Sequence, residues 1–164
     1  MLVMAYTLVS GVVLSVLASL LIVGTLYGNP RLLLQDYPKD VQRMVPPKTD
    51  REKKRTAWIA VPFMLVLIGV PFVSTLLLKK NLGDVGFLAA FGHAFGVLAI
   101  FNLVDLLVLD WFLIVKIRPR FVVLPGTEGA AGYGDTAHHL KGFVSGLVMS
   151  AVAGLLIALL AAAV

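Results

Sequence analysis

The chain has 164 residues, 59% of them hydrophobic and only 14% charged, against about 25% charged in an ordinary soluble domain. That balance excludes a water-soluble globule, and the length fits one domain. The lack of cysteine excludes disulfides, thiol redox chemistry and Cys-ligated zinc or iron–sulfur clusters, and the net charge of +5 matters chiefly through where the basic residues lie.

Four apolar runs follow one another: Leu2–Tyr27, Ala57–Leu78, Phe87–Val115 and Gly142–Val164. Each holds at least the roughly 20 residues a helix needs to cross a bilayer, and lipid admits no open strand. The expected fold is all-α: a polytopic membrane protein with four transmembrane helices in one bundle, spans near 2–27, 57–78, 87–115 and 142–163. The first run has no basic residue before it, is too long for a signal-peptide core and is followed by no small-x-small site, so it reads as a retained helix.

In the first connection, residues 28–56, Asn29-Pro30 fits a cap followed by proline at the first helical position. A short helix over Pro30–Asp36 is expected there, with Leu32, Leu33 and Leu34 toward the membrane. Tyr37-Pro38 interrupts it, and Val45-Pro46-Pro47 stops any helix beyond that point. Thr49-Asp50-Arg51-Glu52 matches a capping box, so helix two should start before its apolar run and be kinked by Pro62 and Pro71. The second connection, residues 116–141, carries Pro125-Gly126-Thr127-Glu128-Gly129-Ala130-Ala131-Gly132-Tyr133-Gly134. Asp135-Thr136 then resembles the cap of helix four, which opens with His138, His139 and Lys141.

Twelve of the fourteen Lys and Arg residues lie in these two connections or at their margins; Lys79 and Lys80 alone lie between helices two and three. The positive-inside rule then places both connections in the cytoplasm and both termini outside, with a bacterial inner membrane as the expected location. The basic run Arg51–Arg55 reads as a topogenic, lipid-facing flank.

Asp105 and Asp110 are the most informative residues. A carboxylate near the bilayer centre costs about 2.5–3.5 kcal/mol on insertion scales and usually faces a bundle interior or wet cavity. Counted from Lys116 at about 1.5 Å per residue, Asp105 is ~16 Å deep and Asp110 ~9 Å. On an α-helix the two lie roughly 140° apart, so they should not face one another, and Asn102 falls between them. The expected partners of Asp105 are neutral: Asn102, Ser74, Thr75, Ser150 or water. For Asp110 an ion pair with Arg118, Lys141 or a base of the first connection is expected. His93, near the other end of helix three, reads as an interfacial histidine at a close helix contact.

Asn102, Asp105, Asp110, Glu128, Tyr133, His138 and His139 make up the candidate ligand-binding set. Glu128, Asp135, His138 and His139 match no zincin spacing, and adjacent helical histidines diverge by about 100°, so no metal is expected. The glycines at 126, 129, 132 and 134 lack the preceding strand and the Gly-Lys-Ser/Thr ending of a phosphate loop; a flexible loop is the simpler reading. Nothing points to a cofactor or to nucleic acid. Gly142, Gly146, Ser150, Gly154, Ala158 and Ala162 form a small-residue stripe that allows close helix approach, within one chain or to a second copy or partner membrane protein. Gly11, Ser15 and Ser19 make a shorter one.

Three stretches, Asn29-Pro30-Arg31 to Asp40 with Val45-Pro46-Pro47, then Asn102, Asp105 and Asp110-Trp111, then Pro125-Gly126-Thr127-Glu128 with Tyr133, His139 and Lys141-Gly142-Phe143, together resemble a set of small uncharacterised bacterial four-span integral membrane proteins. The resemblance implies a four-helix membrane protein and brings no reaction class with it. The expected function is a binding or transport-related protein holding a small ligand, a proton or a lipid head group in a polar, cytoplasm-facing cavity. Asp105 and Asp110 would form its acidic walls, Asn102 a hydrogen-bonding wall, and His138 or His139 a gate. The rivals are a membrane-embedded enzyme acting on a lipid-linked substrate, with Asp110 and a loop histidine as acid and base, and a structural partner subunit docking through helix four.

Overall fold

Backbone amides have no water to turn to inside a bilayer, so long apolar segments satisfy them internally as helices. The computed structural model describes residues 1–83 and 85–163; Val164, the last residue of the fourth apolar run, lies outside them. Of the structure, 84% is helical, with no strand among the described residues. Four helices are long and apolar enough to cross a membrane: α1 (Leu2–Gly28), α3 (Asp50–Leu82), the helix Phe87–Ile117 and α5 (Thr136–Ala163). A 3₁₀ segment (Pro30–Asp36) and the short helix α2 (Lys39–Met44) fill the first connection, and a 3₁₀ turn (Ala131–Gly134) lies in the second. Both long connections lie at one end of the bundle, hereafter the loop end. The turn after α3 lies at the other, where Asn81 Nδ2 donates to the Tyr6 hydroxyl at 3.0 Å.

The local signals in the first connection act as expected. Asn29 accepts from the Arg31 amide at 3.1 Å. The Thr49 hydroxyl accepts from Glu52 N at 3.2 Å while Glu52 Oε2 accepts from Thr49 N at 2.7 Å, a complete capping box that starts α3 at Asp50. Glu52 also receives Arg31 Nε at 2.6 Å, which ties the 3₁₀ segment to α3. The Thr56 hydroxyl donates to Leu32 O at 2.9 Å, and Lys48 Nζ donates to Leu32 O and Gln35 Oε1.

Helix association in lipid depends on close van der Waals approach, because no hydrophobic force separates helix from lipid tail. Glycines supply it here. A Cβ at Gly11 would sit 2.7 Å from Ile100 and one at Gly96 the same distance from Thr7, locking α1 against the third span; a Cβ at Gly154 would sit 3.0 Å from Phe95 N, and one at Gly146 would run into Asn102. The α5 stripe therefore packs inside the chain at Gly146 and Gly154, whereas Gly142 has open space beside it.

Two departures from α-helical expectation decide the rest. The third span is α4 (Phe87–Val104) followed by thirteen residues of π-helix, Asp105–Ile117. The Arg118 amide, for example, donates to Leu113 O five residues back at 2.8 Å. Second, α3 runs through Pro62 and Pro71, yet all of its buried residues, Pro71, Ser74, Thr75 and Leu78, lie in its last part. No residue of α3 before Pro71 is buried, and a cavity lies between this part of the helix, α1 and the third span.

Candidate functional site

The cavity has a volume of about 460 Å³, within the range of sites that enclose a drug-sized molecule. It lies between two apolar clusters. One is inside the bundle (Leu14, Ala18, Ala94, Val97, Leu98, Phe101, Ile157) and the other is at the loop end (Leu26, Leu34, Tyr37, Val41, Val122, Leu124, Ala130, Tyr133). Ile22, Leu26, Phe63, Phe101 and Leu109 give it a mostly apolar wall, Ala60 and Met64 mark its edge on α3, and Leu32, Gln35 and Asp36 come from the 3₁₀ segment. The expectation of a polar cavity is therefore corrected: most of its lining is aliphatic or aromatic, with a few polar groups set into it.

Those polar groups converge because of the π-helix. Bonding each amide to the carbonyl five residues back takes more residues per turn than the 3.6 of an α-helix. That winding swings residue i+5 back toward the face of residue i. Asp105 and Asp110, five apart, both line the cavity, as do Leu109 and Ile114, also five apart. The expectation that the two carboxylates diverge rested on α-helical geometry and is overturned.

The Asp110 carboxylate lies 3.0 Å from His139 Nδ1. The pair expected with Arg118, Lys141 or a first-connection base does not form. Arg31 is held by Glu52, Lys48 by carbonyl and amide oxygens, and Arg118 stacks its guanidinium 5.4 Å from the Tyr133 ring centroid. With Nδ1 donating to Asp110, His139 turns its other nitrogen away. Nε2 is buried and has no hydrogen-bond partner among the described residues, although the residue is only 7% exposed and lines the cavity. A buried polar atom without a partner is uncommon in folded proteins and calls for a reason.

Asp105 makes no hydrogen bond or ion pair among the described residues, and each neutral partner expected for it is engaged elsewhere. Asn102 Nδ2 donates to Phe143 O at 2.9 Å, Ser150 to Gly146 O at 2.7 Å, and Thr75 to Pro71 O at 2.7 Å. Ser74 lies 2.9 Å from His93 Nε2.

Of the candidate ligand-binding set, Asp105, Asp110, Tyr133 and His139 share the cavity wall, and Asn102, Glu128 and His138 lie outside it. Asn102 is a helix-packing residue over Gly146. The Glu128 carboxylate is exposed and accepts from Gly126 N at 3.1 Å; bonds from backbone amides hold it below its ordinary value. The His138 amide donates to the Asp135 cap at 3.0 Å, and its Nε2 lies 3.1 Å from Asp36 O. No group of three or more His, Cys, Asp or Glu residues suited to a metal ion occurs among the described residues.

Sequence reasoning misses Asp36, Gln35, Tyr37 and Thr56, all cavity-lining. Only Tyr37-Pro38 carries a signal, that of a helix stop. Desolvation against the cavity wall pushes the Asp36 carboxyl up, with Lys48 offsetting part of the effect, and burial pushes the Tyr37 hydroxyl up as well. Tyr37 is thus a firm donor, to Val122 O at 2.7 Å. The glycine-rich connection is an ordered cover, contrary to the flexible loop expected. Gly126 turns it with φ +85, the Tyr133 hydroxyl accepts from Leu124 N at 2.9 Å and lies 2.7 Å from the Thr127 hydroxyl, and Gly132 N donates to Asp40 at 2.7 Å in a place where any Cβ would clash.

Comparison with protein-family models, curated proteins and solved structures gives no match.

Proposed function

We propose that this chain is an integral membrane protein that binds a small ligand or the polar end of a lipid in the cavity between α1, α3 and the third span. Asp105, Asp110 and His139 are its polar contacts, and a transport-related role is its natural extension. One observation carries the reading: a largely apolar cavity whose wall holds a half-buried carboxylate, Asp105, without a partner among the described residues, next to a histidine with one unpartnered buried nitrogen. Buried polar groups left unsatisfied cost about 1–3 kcal/mol each, a cost that a ligand's donors remove. Native mass spectrometry of the protein in lipid nanodiscs should show a retained small molecule. Ala60→Trp, at the cavity edge, should lose it, and equal occupancy in both proteins would overturn the reading.

A second reading is supported by the Asp110–His139 pair. A carboxylate that fixes one imidazole nitrogen leaves the other as a base of set direction, the arrangement used in general acid–base catalysis. A membrane-embedded enzyme acting on a lipid-linked substrate would use it, and activity against such a substrate would then vanish in His139→Gln. Docking as a structural subunit through α5 has less support, because Gly146 and Gly154 are occupied within the chain.

The orientation belongs to the same proposal: loop end in the cytoplasm, termini outside, in a bacterial inner membrane, with kinship to small bacterial four-span proteins. The chain has no cysteine, so Lys53→Cys and Glu128→Cys each give a single label site. Both should react with an impermeant thiol reagent only after the inner side is opened; labelling of both in intact cells would reverse the orientation.

A further inference from the structure

The chemistry of the cavity wall narrows the ligand class, on the assumption that the cavity is the ligand site just proposed. The charged side chains in its lining are Asp36, Asp105 and Asp110, with the imidazole of His139; among the described residues no Lys or Arg lines it. Lys48 donates to Leu32 O and Gln35, and Arg118 lies against the Tyr133 ring with its Nε buried and unpartnered among the described residues, outside the lining. The donors are mostly spent: the Tyr37 hydroxyl on Val122 O, the Thr56 hydroxyl on Leu32 O and the Thr25 hydroxyl on Leu21 O at 2.7 Å. Tyr133 and Thr127 share one hydroxyl contact, and Thr127 also bonds Leu124 O. The acceptors are open. Both carboxylate oxygens of Asp105 lack a protein donor among the described residues, and His139 Nε2, buried and without a partner among them, is an acceptor in the neutral tautomer whose Nδ1 donates to Asp110. An anionic head group would meet carboxylates with no cation in the lining to offset them.

We infer that the cavity takes an amphiphilic cation, a molecule with an apolar body and a protonated amine, whose N–H groups donate to the Asp105 carboxylate beside the Asp110–His139 pair. The apolar body lies against Phe63, Phe101, Leu109 and Met64. Asp36 adds negative charge at the 3₁₀ side.

The test uses the full chain in lipid nanodiscs, with empty nanodiscs as background, and three probes of matched chain length: decylammonium, decanol and decanoate. Decylammonium should bind saturably and about tenfold or more tighter than decanol, the factor expected for a hydrogen bond to a charged group, and decanoate should not bind saturably. Asp105→Asn should weaken decylammonium about tenfold and decanol by a much smaller factor, since only the ammonium loses a charged partner. Ala60→Trp should abolish saturable binding of any probe. Saturable decanol or decanoate binding that equals or exceeds decylammonium and is lost in Ala60→Trp would overturn the cation assignment and leave the ligand site standing. If no probe binds above empty nanodiscs, or Ala60→Trp changes nothing, both the cation assignment and the ligand-site reading fail. The probe comparison is made on the unmodified protein, so it does not depend on how the variants fold.

Discussion

Two buried histidines occupy opposite halves of the bundle, and they are treated differently. His93 is 1% exposed and both ring nitrogens are met, Nδ1 by the Thr7 hydroxyl of α1 at 2.8 Å and Nε2 by the Ser74 hydroxyl of α3 at 2.9 Å. It pins three helices together where glycines bring α1, the third span and α5 to backbone distance. His139 is nearly as buried, yet has one partner and one unpartnered nitrogen, and it borders the cavity. A histidine that only holds helices together is saturated. His139, beside the cavity, keeps a buried nitrogen that no helix contact claims among the described residues.

The comparison breaks most visibly at the packed half. Gly154→Leu puts a large side chain where even a Cβ lies 3.0 Å from Phe95 N, and should cost about 3 kcal/mol or prevent assembly. Leu155→Ile, on the lipid-facing side of the same helix, should change stability by less than about 0.5 kcal/mol. Equal thermal midpoints for the two in detergent would remove the claim that this half is packed at backbone distance.

The histidines themselves sharpen it. His93→Ala leaves a void among three helices, but the Thr7 and Ser74 hydroxyls can then both donate to Val3 O and Pro71 O, so a loss of about 2 kcal/mol is expected. His139→Ala should cost about 1 kcal/mol, because the cavity lets water reach Asp110. Its larger effect should fall on ligand retention, which His93→Ala leaves intact apart from general destabilisation. Denaturation curves paired with native mass spectrometry separate the two outcomes.

The smallest effect concerns Asp36. Asp36 is surface-exposed, but desolvation against the cavity wall, partly offset by Lys48, raises its carboxyl from the ordinary value of 3.8, so the folded state holds a proton more tightly than the unfolded chain. Stability through this group should therefore fall as pH rises from the unfolded value through the folded one. Asp36→Asn should flatten that slope, seen as a weaker dependence of the thermal midpoint on pH above about 4. An unchanged slope would remove Asp36 from the account.

The four spans, the capping box at Thr49, the cap at Asp135 and the helix contact at His93 are legible in the sequence, because each rests on a local rule of composition or spacing. Asp105 and Asp110 stand out for the same reason: charge in an apolar run is conspicuous. Their mutual arrangement is not legible. The stretch Asp105–Ile117 has no glycine or proline, and its charged residues Asp105, Asp110 and Lys116 do not by themselves mark a wider winding; an apolar helix facing lipid has no strong periodicity to betray its pitch. Asn102 joins the candidate set because it is polar at the right depth, whereas in the fold the packing over Gly146 claims it. Asp36 and Thr56 escape notice because a loop and a basic flank hide which of their residues fold back over the bundle.

The π-helical segment has a mechanical consequence. Thirteen residues wound with five-residue bonds occupy less axial length than the same residues wound as an α-helix, so the stretch holds slack. Rewinding it to the α form would lengthen the span and carry Asp110 round the axis, away from Asp105. Extension along the membrane normal and rotation of one carboxylate are thus a single coordinate, as in a screw, and the Asp110–His139 bond is the pin that sets its thread.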